Sequence, residues 1–320
     1  MAVSKKKIIV EVPHRISGFF EIVDEINGVM IEDPQKIGSR GAGFCLSAVG
    51  KTKIEIESLK KEDDFEIEVC INGERIDKKA ETTYYIIEYL INYLNKPFRI
   101  KVNHFFDLPV GCGFGASGSG ALGATFGLNY LLNLNLSYYE RGRISHIAEV
   151  MNKTGLGTVC GQLGRGLCML KEPGYPCVIE RINIPAGVKI ICGTFGMIHT
   201  KTILNSESLS TKIKIAGKKA LQKLMADKSI NTFTKASIDF VKETDILSVL
   251  NLTNTKLLME DLNKLDIIGA SMNQLGRSVY AIGYEKKVKE IIEVFETYKP
   301  KIEIFNLSID NNYPRILKFK

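Results

Sequence analysis

The 320-residue sequence predicts an α+β protein of two lobes. Three observations carry that prediction. The first is an order along the chain: the strand-like run FRIKVNHFF leads into the loop PVGCGFGASGSGAL, and the loop leads into an apolar helix. The second is a change of character between residues 174 and 185, after which the glycine-rich loops stop and strands alternate with helices. The third is composition, 45% hydrophobic and 25% charged, which at this length fills one large core or two medium ones. The lobes are expected at residues 1–180 and 181–320.

The elements follow in order. KKIIVEVPHRISGFFEIV reads as a strand, a turn at Pro13, and a second extended stretch through Phe19, Phe20 and Glu21. GSRGAGFCLSAVGKTKIEIES places a glycine turn over Gly38 to Gly43 before an alternating strand. FEIEVCING alternates at period two, and Asn72-Gly73 signals a hairpin. AETTYYIIEYLINYLN puts Ile86, Ile87, Leu90, Ile91 and Leu94 on one helical stripe. FRIKVNHFF is the strand that delivers the loop, and the apolar helix runs from Ser119 to Leu132. SYYERGRISHIAEVMNKTG is a helix that stops near Gly155, and GLGTVCGQLGRG reads as a second glycine-rich loop. LCML and GVKIICGTFG are strands. Helices are expected over Thr211–Asp227, Thr232–Leu250 and TKLLMEDLNKLDII. SVYAIGY and KIEIFNLS are strands with a lysine-rich helix between them.

Charge and cysteines exclude several classes. The net charge of +7 is spread along the chain, which suits a small anionic substrate such as ATP and lacks the clustered, aromatic-interleaved pattern of a nucleic-acid binder. The seven cysteines form no CxxC pair, so neither a metal cluster nor a disulfide framework is expected, and a reducing, cytoplasmic setting is the simpler reading. Residues 108–139 carry no charge. The helix within them spans only ~21 Å against the ~30 Å of a bilayer core, so no membrane span is expected. The lysine-rich start does not read as a secretory signal.

The loop PVGCGFGASGSGAL holds five glycines, two serines and no lysine, so the lysine-bearing phosphate loop GxxxxGK[ST] is excluded. Glycine at every second position still lets the backbone wrap a polyphosphate, and the helix that follows adds a positive dipole end. Ser117, with Ser119 as second choice, would offer a hydroxyl to a phosphate or to Mg²⁺.

Read as P-x-G-x-G-F-G-x-S-x-S, the run resembles the phosphate loop of the GHMP kinases, the superfamily of galactokinase, homoserine kinase and mevalonate kinase. VPHRISGFFE resembles the N-terminal motif of that superfamily, AEVMNKTGLGTV the helix and loop that carry its metal-binding glutamate, and IIGASMNQLGRSVYAI its third motif. Within the superfamily, GFFE, GSRGAG and KTGLG are similar to the archaeal pantoate kinase branch. The resemblance implies an N-terminal lobe like ribosomal protein S5 and a ferredoxin-like C-terminal lobe. It implies a kinase that uses ATP and Mg²⁺, with pantoate, an intermediate of archaeal coenzyme A synthesis, as acceptor. Alternatives are homoserine or mevalonate as acceptor, or a non-catalytic ATP-binding protein of the same fold. A homodimer is expected on the commonness of two-fold pairs.

The resemblance also implies roles. Pro109, Gly111, Gly113, Gly115, Ala116, Ser117, Gly118 and Ser119 form the nucleotide loop. Ser117 and Glu149 hold the metal. Ser39, Arg40, His146, Arg165 and Thr200 are candidates for the substrate, with Arg40 or Arg165 expected on its carboxylate. His14 and Arg15 are expected near the phosphates. One departure stands out: many superfamily members place an aspartate in the second glycine-rich loop, and Thr158 occupies that position here. A threonine hydroxyl takes no proton at neutral pH, so catalysis would rest on positioning and charge stabilisation, or on an acid elsewhere.

Overall fold

A computed structural model describes residues 5–60, 62, 64–198 and 207–317. Strand β1 (Lys5–Val23) pairs antiparallel along nearly its whole length with β4 (Gly38–Ser58), and the small hairpin β2 (Glu25–Ile26) and β3 (Val29–Met30) caps their turn. The chain continues through β5 (Glu66–Ile71), β6 (Glu74–Arg75), α1 (Glu81–Ile91) and β7 (Phe98–Phe106). It then forms α2 (Ala116–Leu132), α3 (Tyr138–Met151) and α4 (Thr158–Gly164), followed by β8 (Leu167–Leu170) and β9 (Ile179–Ile182). The second half comprises β10 (Val188–Thr194), α5 (Glu207–Ala226), α6 (Ile230–Thr244), α7 (Ile246–Val249), α8 (Thr253–Leu262), β11 (Gly269–Asn273), β12 (Ser278–Tyr284), α9 (Val288–Glu296), β13 (Glu303–Leu307) and β14 (Arg315–Leu317).

Two sheets organise these elements, as the α+β prediction requires. The first runs β14-β1-β4-β7-β5-β6, with β8 and β9 joined to the early half of β4. The second runs β11-β12-β10-β13 and is antiparallel throughout. Helices α1, α2 and α3 pack together, with α2 against β1 and β4. The small residues of α2 allow a close approach: a Cβ on Gly123 would lie 2.1 Å from Thr52 Oγ1, and one on Gly127 2.6 Å from Ile54 Cδ1. Helix α3 starts at a capping box, where Ser137 and Glu140 exchange side-chain-to-backbone hydrogen bonds. The two halves share one core. Phe19 and Phe44 of the first pack on Phe233 and Tyr280 of the second, and Phe20 packs on Phe240.

Several expectations change. Pro13 is not a turn, because β1 passes through it with a register shift that absorbs the missing N–H. The glycines at 38–43 lie inside β4, where a Cβ on Gly43 would meet Ile16 O at 2.1 Å. Most of the second glycine-rich loop is helix α4, because Gly161 packs on the Arg15 guanidinium and a Cβ there would lie 2.0 Å from Nε. Strand β11 and the β2–β3 hairpin were not foreseen. Cys160 and Cys177 form a disulfide, against the expectation that the cysteines stay unpaired. Their spacing alone gave no sign of it, since the pairing depends on α4 docking beside the 171–178 turn. Cys45, Cys70, Cys112, Cys168 and Cys192 are free and buried. Among the described residues no helix is long and apolar enough to cross a membrane.

Candidate active site

A cavity of ~640 Å³ opens where the β7–α2 loop meets the segment after α3. One wall is the glycine loop: Gly111, Gly113, Gly115, Ala116 and Ser117. A second wall is the run from Lys153 to Thr158. The floor is apolar, with Phe19, Phe20, Ala42 and Leu170, and Ile198, Gln274 and Leu275 close the third side. The loop folds as its spacing predicts. Gly111, Gly113 and Gly115 have φ of 77°, 85° and 68°, a region that costs other residues strain, and Gly115 caps the N-terminus of α2. The positive end of the α2 dipole therefore faces the cavity.

Glu149 does not itself line the cavity: it is 1% exposed and lies behind the wall, with Thr154 and Gly155 of that wall against its carboxyl. Helix α3 delivers it from its last turn, and the segment beyond folds back over it. Its Oε1 accepts from Thr154 Oγ1 at 3.1 Å, while Oε2 is buried with no hydrogen-bond partner. Burial raises its pKa to about 7, partly offset by the hydroxyls of Ser117, Thr154 and Thr158, which lie beside the carboxyl. A Cβ on Gly155 would lie 2.3 Å from Oε2, so only glycine leaves that oxygen room. The Ser117 hydroxyl now donates to Thr154 O at 3.4 Å. Carboxylate, hydroxyl and carbonyl oxygens make up this cluster, the donor set a hard divalent cation takes.

The structure gives other expected residues different places. Ser39 lines the cavity beside Gly157. Pro109, Gly118 and Ser119 do not line it: Ser119 is buried and donates to Val12 O at 2.9 Å, and Gly118 packs on Gln162 and Thr158. Arg40 makes a bidentate pair with Glu21, its cross-strand neighbour, at 2.7 and 3.0 Å. His146 shares a helix with Glu149 but donates through Nε2 to Ile37 O at 3.0 Å, and burial lowers its pKa. Arg165 stacks over Tyr313, 3.5 Å from the ring centre. These three side chains are outside the cavity wall. Thr200 lies outside the described residues. His14 sits behind the loop and does not line the cavity, whereas Arg15 lines it and donates to Gly161 O and Cys168 Sγ. Thr154, Lys153 and Gln162 were missed. Lys153, with φ of 52°, stands in the cavity wall where α3 ends. No local pattern marks any of the three, since their roles depend on how the chain returns after α3.

Comparison with known proteins agrees with this geometry. Residues 81–162, which run from α1 to α4 and include the loop and Glu149, match the GHMP kinases N terminal domain. That segment is similar to the N-terminal domain of the GHMP kinases, and the chain is a small-molecule kinase. Its similarity is more particular than that. It is 29% identical to the pantoate kinase of Thermococcus kodakarensis over 87% of this chain and 88% of that protein. It is also 29% identical to the pantoate kinase of Methanocaldococcus jannaschii over 89% of this chain and 96% of that one. A solved phosphotransferase related to the CoA biosynthesis pathway superposes with a TM-score of 0.84 at 26% identity, covering 97% of this chain and 98% of that one.

Proposed function

We propose that the chain transfers the γ-phosphate of ATP to the terminal hydroxyl of pantoate, giving 4-phosphopantoate and ADP. The observation that carries this is the buried Glu149 carboxyl, with one oxygen unpartnered, beside Ser117 at the foot of a glycine loop. The whole-length similarity to pantoate kinases supports the choice of acceptor. The apolar floor suits it as well, because pantoate carries a gem-dimethyl carbon next to its reactive end and Phe19, Phe20, Ala42 and Leu170 can bury it.

Residues divide the work as follows. The N–H groups of Gly113 to Ser117 bind the phosphates, and Glu149 and Ser117 would hold Mg²⁺. When bound, that ion neutralises phosphate charge. The acceptor oxygen attacks the γ-phosphorus, the bond to the β–γ bridging oxygen breaks, and the hydroxyl proton passes to a phosphoryl oxygen. Thr158 orients rather than deprotonates, so the rate comes from alignment and charge stabilisation. Lys153 and Arg15 are the cationic residues of the cavity wall among the described residues, and in this reading Lys153 meets the substrate carboxylate. In this reading residues 1–180 hold the nucleotide and residues 181–320 close the cavity.

The test is ADP release by the purified chain with ATP, Mg²⁺ and, in turn, pantoate, homoserine, mevalonate and shikimate. Pantoate alone should stimulate release, and Ser117→Ala and Glu149→Ala should abolish it. Stimulation by another acceptor would overturn the substrate while keeping the site.

A further inference from the structure

The glycine loop is held from behind by two buried side chains. His14 donates through Nδ1 to Phe114 O at 2.9 Å, and the main-chain N–H of Arg15 reaches the same oxygen at 3.0 Å. A carbonyl only accepts, so the imidazole proton sits on Nδ1. Gln162 of α4 donates through Nε2 to Gly115 O and to Pro13 O, both at 3.0 Å. Both residues are wholly buried, and neither lines the cavity. Gln162 is wedged in place, since a Cβ on Gly118 would lie 2.6 Å from its Oε1.

In a planar trans peptide the C=O and the following N–H point in opposite directions. Holding Phe114 O and Gly115 O toward the interior therefore turns the N–H groups of Gly115 and Ala116 toward the cavity. We infer that His14 and Gln162 are positioning residues that fix these two peptide units as an anion-binding nest, and so set the affinity of the loop for the nucleotide polyphosphate. The inference rests on the nucleotide reading of the loop given above.

The test compares the full chain with Gln162→Met, His14→Leu and His14→Asn. Met keeps the volume of Gln162 and removes both donors. Leu removes the imidazole donor, whereas the amide N–H of Asn stands near the place of Nδ1. ADP affinity is measured by titration calorimetry in Mg²⁺ buffer, together with kcat and the KM for ATP and for acceptor. Gln162→Met and His14→Leu should weaken ADP binding and raise the KM for ATP by about 10-fold, the scale of a lost buried hydrogen bond, with acceptor KM within about 2-fold. His14→Asn should recover ADP affinity to within about 3-fold of the parent chain. Retained ADP affinity beside a general loss of activity and thermal stability would overturn the assignment. If Gln162→Met does not fold, the two His14 variants decide, and equal ADP affinity in both overturns it. A parent chain that binds no ADP overturns the nucleotide reading itself. A failure of that reading is thereby distinguished from a failure of this inference.

Discussion

Replacing Glu149 by glutamine removes a charge and keeps the shape of the side chain. Burial raises the carboxyl pKa from 4.5 to about 7 in the fold, against the smaller pull of the neighbouring hydroxyls. In the unfolded chain it titrates near its ordinary value. Between the two values the folded protein holds the proton and the unfolded chain has lost it. The carboxyl's contribution to stability is therefore intact below about pH 4.5 and is lost as pH rises through about 7. At about 1.36 kcal/mol per pH unit, the ionised carboxylate costs the metal-free fold ~3 kcal/mol near pH 8. Glutamine carries no charge at either pH. Glu149→Gln should then exceed the parent by ~1 kcal/mol near pH 5 and by ~3 kcal/mol near pH 8, roughly 4 °C of melting temperature for a chain of this size. The assay is thermal unfolding in EDTA at the two pH values, with ADP release measured separately. Turnover should nearly vanish while stability rises. An equal gain at both pH values would trace the effect to packing, and no gain near pH 8 would mean that the carboxyl is not desolvated. Either result would refute the reasoning.

Arg40→Ala should lower stability by ~2 kcal/mol in urea unfolding, because it strands Glu21, which is mostly buried, and should leave acceptor KM within about 2-fold. A tenfold rise in that KM would put Arg40 at the acceptor. Gly118→Ala places a Cβ 2.6 Å from Gln162 Oε1 and 2.8 Å from Thr158 Cγ2, so it should cost ~1–3 kcal/mol and weaken ADP binding in calorimetry. Thr158→Ala should lower kcat by less than ~100-fold, because no proton acceptor is lost, and a fall toward ~10⁴ would mark a group acting at the reacting atoms. Chelation by EDTA should abolish ADP release, and added Mg²⁺ should restore it only where both Ser117 and Glu149 are present.

The glycine loop and its helix were legible in the sequence because their physics is local. Glycine spacing allows the positive φ values, and an uncharged run of small residues buries a helix against a sheet. Strand alternation at 66–71 and the Asn72-Gly73 turn follow from equally short-range rules. The family resemblance placed Glu149, but only the fold shows that its carboxyl is buried with one oxygen unpartnered. That depends on the chain turning back at Gly155 after α3 ends.

Tertiary structure alone decided what each polar side chain faces. His146 shares the α3 face that carries Glu149, yet packs under Ile37 and Tyr175. Arg40 has the chemistry of a carboxylate ligand, but its cross-strand register with Glu21 supplies a carboxylate within the chain. Gln162 lies in a glycine-rich stretch, and it holds Gly115 O because α4 docks behind the loop. The sequence determined the first glycine loop, the helices other than α4 and the type of chemistry. Which donors and acceptors meet across 19 to 149 residues of chain was set by packing, because those contacts exist only once β1, β4 and α4 share one core.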